Sequence, residues 1–136
     1  MTTMHFILSA ICIGVANICI EWFFIGFLFH SAQALTPQTW RPESTKSYLF
    51  SSLLSFLFGA LFTLFYVKIG VNYVILGNYW SHIKLGLICY ACFGFILAMS
   101  SAIYINYSRK FVIGTMIASV LSYVSAAIIA GLFCWK

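Results

Sequence analysis

FILSAICIGVANICIEWFFIGFLFH, residues 6–30, is a run of 25 residues that is apolar almost throughout and holds one carboxylate, Glu21. About 20 apolar residues suffice to cross a bilayer as a helix, so the run predicts a transmembrane span. Glu21 lies near its middle, with Asn17 one turn earlier on the same face. A polar group at that depth is costly and marks a site or a partner. The run has no basic segment before it, and it exceeds the roughly 7–15 apolar residues of a signal peptide. It reads as a retained first span.

Composition agrees. The chain has 136 residues, 63% of them hydrophobic and only 7% charged, which leaves too little charged surface for a soluble domain. The only acids are Glu21 and Glu43, so the net charge of +5 reflects missing acids more than a basic patch. The seven Lys and Arg are scattered and flank apolar runs, as cations at helix ends do. No nucleic-acid partner is expected. The expected surroundings are the lipid bilayer, with a second copy of the chain or a larger membrane protein as partner.

Three more apolar segments follow, at about 48–69, 85–107 and 111–135. All four lack proline and are long enough to span. Backbone groups in lipid must be satisfied internally, so these segments should be helices. Shorter alternating strands, as in a transmembrane barrel, are not seen. The expectation is an all-α integral membrane four-helix bundle forming a single domain over residues 1–136.

The connections carry the polar residues. Residues 31–47 hold both prolines, and Thr36-Pro37 fits a helix cap followed by a first-turn proline. A short interfacial helix over about 36–41 is expected there, with Trp40 and Arg41 at headgroup level. Residues 70–84 include Tyr73, Tyr79, Trp80 and His82, the chemistry of an aromatic belt. Ser108-Arg109-Lys110 alone joins the last two spans, so these form a tight hairpin. Lys68, Lys84 and Lys136 fall on the side of the N-terminus; Arg41, Lys46, Arg109 and Lys110 fall on the other. The small excess favours termini facing away from the cytoplasm, and the expected location is the bacterial inner membrane.

Helices associate in lipid through close packing of small residues. Each span offers such a stripe: Ala10, Gly14, Asn17 and Glu21; Ser52, Ser55, Gly59 and Thr63; Gly94, Ala98 and Ala102; Gly114, Ala118, Ser122, Ala126 and Ala130. Counting from the helix ends sets Ser55, Ser100, Ser101, Ser119, Ser122 and Tyr123 at the depth of Glu21. These residues, with Asn17, are expected to form an intramembrane polar site, and no cation lies at that depth. A carboxyl in such a medium is costly to ionise, and as the neutral acid it can donate a hydrogen bond. Two roles for Glu21 stay open. It can couple to a proton or cation, or it can lock the bundle by bonding Asn17.

Other signals are weaker. Cys12, Cys19, Cys89, Cys92 and Cys134 all lie in apolar runs, where a thiol behaves as a small hydrophobe. Cys89-Tyr90-Ala91-Cys92 is a CxxC, but the loop cysteines that would relay its electrons are absent. His5, His30 and His82 sit at or beyond the expected span ends and read as interfacial. Without Asp no Ser/His/Asp set exists, and no phosphate loop is present. No catalytic residue, metal or cofactor is expected.

Several short motifs resemble a known family. Glu21-Trp22-Phe23-Phe24-Ile25-Gly26-Phe27-Leu28-Phe29 is followed by the loop residue Trp40. Leu85-Gly86-Leu87, Gly94-Phe95, then Asn106, Tyr107 and Arg109 come next in order, and the last span runs from Phe111-Val112-Ile113 to Gly131 and Trp135. In order and spacing this is similar to the bacterial membrane family called domain of unknown function 1761 (DUF1761). The resemblance implies four transmembrane helices; it assigns no activity and no role to Glu21. In arrangement, not motif, the chain also resembles small multidrug transporters, which have four helices and a carboxylate in the first. Here Glu21 lies later in its helix and the loop after it is longer.

Three functional classes stay open. A non-catalytic accessory or structural subunit of a membrane assembly is placed first. A small proton- or cation-coupled transporter using Glu21 is the alternative. A membrane enzyme acting on thiols, quinone or lipid is the third.

Overall fold

A computed structural model describes residues 2–39, 44–75 and 77–134. Four helices in it are long and apolar enough to cross a membrane: Thr3–Leu28, Thr45–Lys68, Tyr79–Tyr104 and Arg109–Cys134. In chain order they are the first to fourth helices. The fold is all-α, and large apolar side chains cover the outside of every helix, among them Ile11, Leu57, Ile96 and Ile117. Water does not tolerate such a surface; lipid does. The chain is a helical membrane protein.

Local chemistry sets the helix starts. Thr2 caps the first helix by accepting the His5 N–H at 3.3 Å, and Ser44 caps the second by accepting that of Ser47 at 3.2 Å. Asn78 caps the third by accepting the Trp80 N–H at 3.0 Å. Gly77, just before it, has φ of 86°, a conformation open to glycine. The third helix therefore begins six residues before the expected Leu85 and takes in Tyr79, Trp80 and His82. The Ser108 hydroxyl accepts the Phe111 N–H at 3.3 Å near the start of the fourth helix and donates to the Ala32 carbonyl at 2.9 Å. That bond ties the first connection to the third at one end of the bundle. Within the expected interfacial helix of about 36–41, the described residues form a short 3-10 helix, Pro37–Thr39; Trp40 and Arg41 lie outside the described residues.

Two helices change register. After Glu21 the first becomes a π-helix over Trp22–Leu28, and Phe29 N–H bonds the Phe24 carbonyl five residues back at 2.9 Å. The third does the same over Tyr90–Gly94. Such widened turns recur at functional sites.

The fourth helix is central and touches the other three, and the first and second pack closely on each other. Gly114, Ala118, Ser122, Ala126 and Ala130 are all buried. Gly59 meets the Ala10 carbonyl so closely that a Cβ there would collide with it; a Cβ on Gly86 would stand 2.7 Å from the Val124 Cα. These two approaches are what small residues permit. The third helix is the exception. It packs on the fourth through Leu85, Gly86 and Cys89, but no residue of Phe95–Tyr104 is buried. Its expected stripe, Gly94, Ala98 and Ala102, is only half-buried.

Candidate functional site

Glu21 stands at the last α-helical turn of the first helix, half-buried, just before the π segment. Asn17, 7% exposed, lies one turn before Glu21 on the same face and donates to Ser55 Oγ of the second helix at 2.9 Å. Ser55 Oγ passes the chain on, donating to the Ser51 carbonyl at 3.2 Å. Asn17 is therefore fixed against the second helix, beside the carboxyl.

Glu21 is a shared wall between two spaces. On one side is a cleft of about 280 Å³, the inner chamber, which opens along Ser51 and Leu54 and brings together Asn17, Ser55, Ser119, Ser122 and Tyr123. On the other is a vestibule of about 640 Å³ between the first and second helices, lined at its outer end by His30, Gln33 and Tyr48. Ser51 also borders both. The inner chamber ends at Phe58, whose ring packs against Tyr123 at 5.4 Å and Phe62 at 5.7 Å between centroids. Beyond these rings lies the hydrophobic core, with Ile13, Tyr66, Leu85 and Ala126.

Six of the eight expected polar residues thus converge. Ser100 and Ser101 do not: both are exposed. Ser101 lines a separate space of about 340 Å³ between the third and fourth helices, which shares Ser119 with the inner chamber. The π turn at Tyr90–Gly94 changes the phase of the helix ahead of both serines.

Sequence reasoning also missed a second polar pair. Tyr66 is fully buried and His82 is 4% exposed; their Oη and Nδ1 are 2.8 Å apart. The His82 ring lies over Gly131, where a Cβ would stand 2.5 Å from it. His82 is a core histidine, not an interfacial one. The signal was present: His82, Leu85, Gly86 and Cys89 are spaced as one face of a helix. A third pair, Ser9 and Thr63, bonds at 3.1 Å. Cys89 lies in the core while Cys92 is exposed, and both thiols are free. Among the described residues no three His, Cys, Asp or Glu side chains converge as metal ligands would.

Compared with protein-family models, curated proteins and solved structures, the chain matches none.

Proposed function

We propose that this protein is a small cation-coupled membrane transporter in which Glu21 binds a proton or a cation, one at a time. The observation that carries the reading is the place of Glu21 as the common wall of vestibule and inner chamber. A carboxyl buried without access could only be structural; this one borders a space that ends among His30, Gln33 and Tyr48. One carboxylate with two competing occupants gives exchange: entry of the cation releases the proton, and protonation releases the cation. The rings of Phe58, Phe62 and Tyr123 close the chamber toward the opposite face, and passage across the membrane requires them to part. The arrangement shared with small multidrug transporters supports the reading. The resemblance to the DUF1761 family supports four spans and the bacterial cytoplasmic membrane, both as part of the proposal.

The test is proteoliposomes holding a pH-sensitive dye, challenged with jumps of sodium, tetraethylammonium or n-butylammonium chloride, with empty liposomes as reference. The reading expects at least one cation to drive protein-dependent proton movement that Glu21→Gln abolishes. Movement unchanged in the variant, or none with any cation, defeats it.

A second reading, a non-catalytic accessory subunit, is supported by Phe95–Tyr104, which buries no residue within the chain. A second copy or a larger membrane protein would cover that segment. Native mass spectrometry of gently extracted protein separates these: a homodimer fits the transporter, a stable complex with another membrane protein the subunit.

A further inference from the structure

Ser122 is 5% exposed, lines the inner chamber, and its Oγ has no hydrogen-bond partner. Several hydroxyls in the second and fourth helices turn back to their own backbone. Thr115 donates to the Phe111 carbonyl at 3.0 Å, Thr63 to that of Gly59 at 2.8 Å, and Ser125 to that of Ser122 at 3.1 Å. Ser122 does not, and a buried hydroxyl left without a partner calls for one. It shares its chamber with the carboxylate of Glu21 and the side chain of Asn17.

We infer that the inner chamber binds a small primary ammonium ion, R–NH3+, with its charge on Glu21 and one N–H donated to Ser122 Oγ. The inference rests on the reading of Glu21 as a cation-binding group. One carboxylate balances one positive charge. An ammonium head has three N–H donors, and the chamber offers oxygens from Glu21, Ser122 and Ser119 around one space. A bare metal ion would leave most of about 280 Å³ unused; a cavity of roughly 150 Å³ already accepts benzene. The remaining space is walled by Leu54, Phe58 and Tyr123, which suits a short hydrocarbon group. Aromatic rings also attract a cation within about 6 Å. A quaternary ammonium has the charge and the hydrocarbon but no N–H, and would leave Ser122 unpartnered.

Binding of n-butylammonium, tetraethylammonium and sodium chloride to the full chain in lipid nanodiscs, measured by isothermal titration calorimetry, tests this. The expected result is saturable butylammonium binding at least about tenfold tighter than tetraethylammonium. Ser122→Ala weakens butylammonium by about tenfold, as loss of one hydrogen bond to a charged donor does, and leaves tetraethylammonium within about twofold. Glu21→Gln removes binding of both. If tetraethylammonium or sodium binds as tightly as butylammonium, in a way that Glu21→Gln removes, the ammonium inference is overturned and the role of Glu21 stands. If butylammonium binding ignores Ser122→Ala, the inference is likewise overturned. If no cation binds in a way that needs Glu21, both readings fall. Wild-type selectivity decides the matter even if Ser122→Ala proves misfolded by gel filtration.

Discussion

Replacing Gly59 by alanine should part the first and second helices. The added Cβ would fall against the Ala10 carbonyl, 3.0 Å from the Gly14 nitrogen and 3.2 Å from the Ala10 carbonyl carbon. All three are backbone atoms, which cannot rotate aside as a side chain can. The helices must separate, and Gly59 lies one turn from Ser55 on one side and Thr63 on the other. The Asn17–Ser55 bond of 2.9 Å and the Ser9–Thr63 bond of 3.1 Å would both stretch. Hydrogen bonds are lost beyond roughly 3.5 Å. Overpacking costs about 1–3 kcal/mol, and each interhelical bond in a membrane contributes about 0.6 kcal/mol. Together this gives a loss of about 2–4 kcal/mol. Reversible unfolding by sodium dodecyl sulfate in mixed micelles measures it. Gly26→Ala is the control, since its Cβ would meet only the Trp22 ring at 3.5 Å, an ordinary contact. It should stay within about 0.5 kcal/mol of wild type, the scale of a surface change. A Gly59→Ala protein as stable as the control would refute the close approach of these helices.

Buried groups supply two more tests. Tyr66→Phe leaves His82 Nδ1 without its partner at 2.8 Å and should cost about 1–3 kcal/mol by the same unfolding titration; an unchanged midpoint would mean the pair contributes nothing. In the folded protein in detergent, methylmercury chloride, which partitions into the micelle, should modify Cys92, which is exposed on the lipid-facing surface, and spare Cys89, which is 4% exposed, until the chain is denatured; equal modification of both, read by peptide mass spectrometry, would contradict the packing of the third helix.

The spans were legible because hydrocarbon thickness fixes their length and each is an unbroken apolar run. The stripe of the fourth helix was legible because its small residues recur every fourth position, and all five are buried. Asn17 and Glu21 share a face for the same reason. The azimuth of Ser100 and Ser101 was not legible. Counting from helix ends gives depth, not direction, and one extra residue in a π turn rotates every later side chain by about 100°. The start of the third helix was hidden by Tyr79, Trp80 and His82, whose polarity resembles a membrane-surface loop. Their helicity depends on the Asn78 cap and on Tyr66, a partner from another span. The unpartnered state of Ser122 is likewise a tertiary fact, since serine in a membrane helix ordinarily bonds its own backbone.

The most direct measurement is modification of the wild-type protein in membranes by a hydrophobic carbodiimide, which reacts with protonated carboxyls in apolar surroundings, with the site of the adduct read by peptide mass spectrometry. Proton–cation exchange at Glu21 predicts an adduct on that residue that saturating n-butylammonium or another transported cation suppresses, because both compete for one carboxyl. An adduct that no cation suppresses, or no adduct on Glu21 at all, would contradict the claim that this carboxyl exchanges proton for cation.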